Sequence, residues 1–189
     1  MSKALAKLSD TELAKLFADE KKSEEAFKEF YSRYSRAVYA YCLKVLRNRD
    51  DAGDTFQEIF TTFFNVVKDG KILEKPMHYL MMVARTRCLN FIRDSKVARR
   101  QDMLAFDEGI MVAHNSGNDM LERYEKKEIL DKALALLPDA YRDIFVMRMY
   151  NGLEYKDIAE ISGETEINVR NKVYRARQKM KELVALYMK

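Results

Sequence analysis

The sequence predicts an all-α protein of two small helical domains joined by a flexible linker, and three observations carry that reading. Two prolines and six glycines among 189 residues leave long stretches in which nothing interrupts a helix. Apolar residues recur at spacings of three and four in one segment after another, the period of an amphipathic helix. Between residues 101 and 124 the character changes, because Gly109 and His114-Asn115-Ser116-Gly117-Asn118 break the pattern and acidic residues outnumber the single Arg123. That is the composition of a tether. The expected divisions are therefore 1–100, 101–124 and 125–189.

The elements follow in order. Ser9-Asp10-Thr11-Glu12 has capping-box spacing, and Leu13, Leu16 and Phe17 give a short first helix one apolar face. Ser23 can cap a second helix in which Phe27, Phe30, Tyr31, Tyr34, Val38, Tyr41, Cys42 and Val45 recur until Arg47-Asn48-Arg49. A third runs from about Asp51 to Lys68, with Phe56, Ile59, Phe60, Phe63 and Val67 inward and Asp69-Gly70 as its stop. Pro76 suits the first turn of a fourth, which extends through Met77 to about Arg100. After the linker, Glu122 to Leu137 directs Ile129, Leu130, Ala133, Leu134 and Leu137 inward until Pro138, and Asp139 to Tyr150 follows, closed by Asn151-Gly152. Leu153 to Ile161, the break Ser162-Gly163, and Glu164 to Lys181 then read as a helix-turn-helix whose second helix buries Val169, Val173, Ala176, Met180 and Leu183.

A helix-turn-helix with a basic second helix is built to lay that helix in the major groove of DNA. From Thr165 to Lys189 seven Lys or Arg oppose two Glu, whereas a solvated helix mixes its signs more evenly. At about 100° per residue Asn171 lies opposite the apolar stripe, Asn168 and Arg175 flank it, and Arg170 and Lys172 lie toward the edges. The fourth helix separates in the same way. Leu80, Val83, Ala84, Cys88 and Phe91 form its apolar side, Arg85, Arg93, Lys96 and Arg100 cluster on the opposite side, and Thr86 and Asn90 border the basic stripe. Tyr79 and Tyr39 could stack on unpaired bases; the alternative is a solvated basic face over core tyrosines.

Other classes find little support. No apolar run approaches the ~20 residues that cross a bilayer, and Lys3, Lys7, Asp10, Glu12 and Lys15 interrupt the N-terminal segment where a secretory signal needs an apolar stretch. No membrane insertion and a cytoplasmic location are expected. Cys42 and Cys88 sit on apolar helix faces without a CxxC partner, and His78 and His114 are isolated in sequence. Reduced buried thiols, no metal and no cofactor are the expectation. No nucleophile with its base, paired carboxylates in an apolar setting or phosphate-binding glycine loop can be assembled, so no catalytic residue and no enzyme is expected.

Several separated motifs carry a resemblance. Phe30-Tyr31-Ser32-Arg33-Tyr34 with Val38-Tyr39, then Asp54-Thr55-Phe56-Gln57-Glu58-Ile59-Phe60, then Tyr79-Leu80 with Val83-Ala84-Arg85 and Arg93, stand in that order. Leu137-Pro138, Arg142, Phe145, Gly152, Tyr155, Asp157-Ile158-Ala159, Val169 and Tyr174-Arg175-Ala176-Arg177 follow. Over residues 27–100 and 128–183 the chain resembles the extracytoplasmic-function sigma factors, the smallest sigma subunits of bacterial RNA polymerase. It departs from that family's commonest pattern at Tyr79, where many members carry Trp, at Thr86, where many carry Asn, at Asn90 in place of Asp, and at Asp157 in place of Glu.

The resemblance implies roles for the residues that match. Asp54, Gln57 and Glu58 would hold a coiled coil of core RNA polymerase. Thr86 and Asn90 would hydrogen-bond a flipped base of the single-stranded minus-10 element, while Arg85, Arg93, Lys96 and Arg100 hold phosphates. Asn168, Asn171 and Arg175 would enter the major groove of the duplex minus-35 element, with Arg170 and Lys172 on phosphates. Core polymerase, promoter DNA and an anti-sigma factor are the implied partners. A stand-alone helix-turn-helix regulator would need a dimer interface or ligand pocket that the sequence does not display, and a non-DNA adaptor would leave both basic stripes unexplained.

Overall fold

The structure, a computed structural model, describes residues 5–17, 19, 21–69, 73–101 and 118–187, with side chains throughout except at 97–101 and 118–126. The described residues form eight helices and no strand: α1 (Asp10–Leu16), α2 (Ser23–Leu46), α3 (Arg49–Lys68), α4 (Pro76–Gln101), α5 (Asn118–Ala135), α6 (Asp139–Met149), α7 (Tyr155–Ser162) and α8 (Glu166–Tyr187). The all-α class holds. The linker expected over 101–124 lies outside the described residues except at its ends, where Gln101 closes α4 and the backbone of 118–124 already belongs to α5.

Local chemistry sets the helix ends. The Ser9 N–H donates to Glu12 Oε2 at 2.7 Å and the Glu12 N–H to Ser9 Oγ at 3.3 Å, the reciprocal capping box that the sequence predicts. Ser23 does not cap α2. The helix winds one residue further back, with Lys22 C=O accepting from the Ala26 N–H, so Ser23 falls inside the first turn. At the other end Arg47 takes a left-handed conformation at φ 64°, which costs about 1 kcal/mol for a residue with a Cβ. Asn48 then begins α3 by accepting from the Asp50 and Asp51 N–H groups at 2.8 and 3.1 Å. The Arg47-Asn48-Arg49 stretch is thus a junction two residues long, and α3 starts at Arg49 rather than Asp51.

The first four helices close around an aromatic core. Phe30 of α2 and Phe63 of α3 stack with centroids 4.7 Å apart, and Phe17, just past α1, meets each edge-on at 5.9 and 6.0 Å. Burial of each such ring is worth about 1.5–3 kcal/mol. Leu80, Met81, Ala84 and Cys88 bring α4 onto this core, and both cysteines are buried free thiols. Phe91, expected on the apolar side, is instead exposed, while its neighbour Ile92 packs against the core.

In the C-terminal half, α8 buries Val169, Val173, Ala176, Met180 and Leu183 as its period predicts. Leu130, expected inward, is exposed. Gly163 closes α7 at φ 70°, and a Cβ there would meet nothing within 4 Å, so left-handed backbone rather than crowding selects glycine. The corner between α5 and α6 depends on Arg142. Its buried guanidinium donates to the carbonyls of Leu134 (3.1 Å), Ala135 (3.1 Å) and Leu137 (2.6 Å), to Asp139 Oδ1 (2.8 Å), and across to Val45 of α2 (3.3 Å). The first three are backbone acceptors at the end of α5, where Leu134 also accepts from the Leu137 N–H at 3.2 Å and Ala135 from Arg47 at 2.9 Å.

Arg142→Lys keeps the charge but cannot fan out to these five acceptors, and each acceptor left buried without a donor costs about 1–3 kcal/mol. Urea unfolding should show a loss of about 3 kcal/mol. A loss below about 0.5 kcal/mol, the range of an ordinary surface change, would contradict the role assigned to the guanidinium.

Candidate nucleic-acid and polymerase interface

The residues singled out in the sequence fall on three surfaces. On α3 the heavy aromatics pack inward, which leaves Asp54, Gln57 and Glu58 exposed on the opposite side. They line an open depression of ≈ 580 Å³ with Thr61, Thr62 and Arg87. The sequence gives no sign of Arg87 there: its guanidinium donates to Thr62 Oγ1 at 3.2 Å and lies 3.5 Å from the Glu58 carboxylate. The surface is acidic with a single bordering cation among those lining residues, a pattern that suits a basic partner.

On α4 the basic stripe divides. Thr86, Asn90 and Arg93 face solvent, with Met82, 40% exposed, continuing the same line one turn earlier. Arg93 pairs only loosely, 3.1 Å from the adjacent and equally exposed Asp94. Tyr39 stands edge-on to Phe56 at 5.7 Å and Tyr79 lies 6.3 Å from Phe63, so both tyrosines are partly committed to the core. Arg100 lies outside the residues whose side chains are described.

Arg85 and Lys96 are occupied. Arg85 Nε donates to Asp143 Oδ2 of α6 at 2.8 Å, and Asp143 is 1% exposed. Lys96 donates to Asp139, one turn earlier on α6. Burial pushes the Asp143 carboxyl above the usual carboxylate range, and Arg85 offsets only part of that. Burial also acts against Asp139, yet Lys96 and Arg142 together hold its carboxyl below that range. Nearby, the Tyr41 hydroxyl is fully buried with no hydrogen-bond partner, and its pKa is raised by burial and then by Asp143.

Further contacts join the two halves along this seam. Lys75 meets Glu160 at 2.6 Å and Lys44 meets Asp131 at 2.7 Å. Arg47 donates to the Ala135 carbonyl and Asn151 to the Ala37 carbonyl, both at 2.9 Å. His78, solitary in sequence, comes within 2.8 Å of Asp157, although that approach is not aligned as a hydrogen bond. Sequence separation hides all of these pairs.

On α8, Asn168, Asn171 and Arg175 are exposed as expected. Two large apolar side chains missed by the sequence reading stand among them, Ile167 at 71% and Tyr174 at 63% exposure. With Asn171 they fall at i, i+4 and i+7, so helical phase could have found them. The two edge cations already have partners: Arg170 bonds Glu166 and sits 4.4 Å over the Tyr155 ring, and Lys172 bonds Glu164 at 2.7 Å. Among the described residues no cluster of three metal-ligating side chains occurs, and no helix is long and apolar enough to cross a membrane.

The chain matches the family description "Sigma-70 region 2" over residues 30–97 and "Sigma-70, region 4" over residues 127–180. These two segments contain most of α4 and the helix-turn-helix. Similar proteins from Bacillus subtilis (strain 168) include the ECF RNA polymerase sigma factor SigM, 27% identical over 158 residues that cover 82% of this chain and 93% of that one. SigW, an ECF sigma factor of the same organism, is 22% identical over 170 residues, 86% of this chain and 90% of its own. Among solved structures, CnrH in complex with the cytosolic domain of CnrY shares the fold at a TM-score of 0.68 and 18% identity, covering 94% and 97% of the two chains. The sigma factor RpoE of Bartonella quintana, in complex with the anti-sigma factor NepR, does so at 0.69 and 20%, covering 85% and 98%. With both regions matched in order across most of its length, the chain belongs to the sigma-70 family as an RNA polymerase sigma factor of the extracytoplasmic-function type.

Proposed function

We propose how this sigma factor divides its work among its residues. Residues 1–100 act as the region that docks on core polymerase and captures the minus-10 strand, 101–124 as the linker, and 125–189 as the minus-35 reader. The observation that carries this reading is the exposure, on both α4 and α8, of short hydrogen-bonding side chains beside longer cations: Thr86 and Asn90 with Arg93, and Asn168 and Asn171 with Arg175. Base edges need the first kind and phosphates the second.

On α3, Asp54, Gln57 and Glu58 hold a basic coiled coil of the polymerase. On α4, Thr86 and Asn90 bond an extruded minus-10 base, for which Met82 offers a polarisable surface, while Arg93 and Arg100 hold the backbone with Arg85 and Lys96 once these leave α6. Melting is then trapped by binding to the unpaired strand. On α8, Asn168, Asn171 and Arg175 read base edges, Ile167 and Tyr174 face thymine methyl groups, and Arg170 and Lys172 exchange Glu166 and Glu164 for phosphates. The chain has no catalytic step of its own, works in the cytoplasm, and is restrained by an anti-sigma factor.

Transcription from a cognate promoter with purified core polymerase tests the reading as a whole, and three sets of variants test its parts. Gln57→Ala with Glu58→Lys should weaken core binding about tenfold, as expected for reversing one charge in a complementary interface, with helicity and Tm unchanged; unaltered binding would remove that surface from the assignment. Asn90→Ala should lower open-complex formation on a duplex promoter and retain part of that deficit on a pre-melted template, because the hydrogen bond it removes is to an unpaired base. Full activity on both templates would mean that Asn90 reads nothing.

The third comparison uses holoenzyme on promoters that differ only in the minus-35 element. Asn171→Ala or Arg175→Ala should cost about 1–3 kcal/mol on the cognate element and much less on a scrambled one. Arg170→Ala or Lys172→Ala should weaken both alike and reduce the salt slope by roughly 0.9 for each phosphate that is no longer neutralised. Equal losses on both elements for Asn171→Ala and Arg175→Ala would reduce α8 to an electrostatic anchor.

A further inference from the structure

We infer that Tyr31 and Tyr39 of α2 are the apolar anchors on which core polymerase seats its coiled coil, beside the carboxylates of α3. The inference rests on the reading of Asp54, Gln57 and Glu58 as the docking face. Charge alone makes a weak dock. Exposed ion pairs contribute about 1 kcal/mol or less and are screened by salt, whereas the buried centre of an interface is aromatic and its rim polar. Large apolar side chains are therefore needed next to those acids. Among the described residues the exposed aromatic rings that touch α3 are those of Tyr31 and Tyr39, at 40% and 36% exposure.

The rings are fixed where a docked helix would meet them. Tyr31 stands edge-on to Phe60 at 4.7 Å and to Phe56 at 6.0 Å, and Tyr39 stands edge-on to Phe56 at 5.7 Å. A ridge of four rings thus follows the line along which α2 meets α3. On α3, at about 100° per residue, Gly53 and Gln57 lie between Phe56 and Asp54. Gly53 leaves low ground there, since a Cβ would meet nothing within 4 Å. Ridge, shelf and carboxylates therefore adjoin. The minus-10 helix α4 lies on the opposite flank of α3, where Arg87 bonds Thr62 and approaches Glu58. That puts Tyr39 on the wrong side of α3 to stack on a base held by Asn90. Because both tyrosines already pack against Phe56 or Phe60, docking costs them little further side-chain freedom, and tyrosine is among the residues that dominate binding energy at interfaces.

The test uses the full chain with purified core polymerase. Tyr31→Ala with Tyr39→Ala should weaken core binding about thirtyfold or more, the equivalent of one interface hot spot. Tyr31→Phe with Tyr39→Phe should stay within about threefold of the unaltered chain, because the rings and not the hydroxyls do the anchoring. A second arm needs no truncation to alanine. Cys42 and Cys88 are buried, so in Tyr39→Cys a maleimide modifies position 39 alone. Saturating core polymerase should slow that reaction severalfold, and oligothymidylate, a single-stranded probe that needs no promoter sequence, should not. If the alanine pair loses helicity by circular dichroism, the alkylation arm decides. Undiminished core binding by a helical alanine pair would overturn the inference, as would alkylation that core leaves unchanged or that oligothymidylate slows, the last marking Tyr39 as a base-stacking residue. Gln57→Ala with Glu58→Lys keeps this outcome apart from the docking reading. If that pair weakens core binding and the tyrosine pair does not, the carboxylate face stands without these anchors; if neither does, the docking reading falls and the anchors with it.

Discussion

The guanidinium of Arg142 is the point on which the C-terminal half is hung. A helix that ends in the interior leaves backbone carbonyls short of donors, and here one planar cation donates to three of them, two of which it shares with Arg47 and the Leu137 N–H, while it fixes Asp139 and reaches Val45 of α2. Burial pushes the Arg142 pKa down, with Arg47 adding to that and Asp139 opposing it. The consequence extends beyond the corner. Once α6 is oriented in this way, Asp139 and Asp143, one turn apart, both turn toward α4. The positions of two α4 cations are therefore set by an arginine that lies on another helix and faces the interior.

Two kinds of interaction hold the molecule together. Within each half, stability comes from apolar burial: the Phe17–Phe30–Phe63 cluster on one side, and Ile144, Val146, Met147, Ile158 and the α8 stripe on the other. Between the halves, ion pairs and hydrogen bonds border an apolar core that runs without a break from one half into the other.

How much of this is legible in the sequence depends on distance along the chain. The α8 stripe from Val169 to Leu183, the Ser9–Glu12 capping box and the exposed Asp54-Gln57-Glu58 face can all be read there, because helical phase and capping involve residues within a few positions of each other. Ser23 does not cap its helix because a neighbouring turn residue, Lys22, supplies its own carbonyl first. Phe91 and Leu130 are expected inward and are exposed, since periodicity identifies an apolar face but not how much of it the fold covers. The pairing of Arg85 with Asp143 spans 58 residues and that of Lys96 with Asp139 spans 43. No local pattern encodes such contacts, so a stripe that reads as uniformly solvated is in fact divided between solvent and seam.

The proposed function turns on α4 holding an unpaired strand that only core polymerase allows the chain to open. Permanganate reactivity of minus-10 thymines on a cognate duplex promoter tests this most directly. With both core polymerase and this chain present, non-template thymines should become reactive, and Thr86→Ala with Asn90→Ala should abolish most of that signal while leaving polymerase binding intact. Reactive thymines that persist undiminished in that variant, or that form with the chain alone in the absence of core, would contradict it.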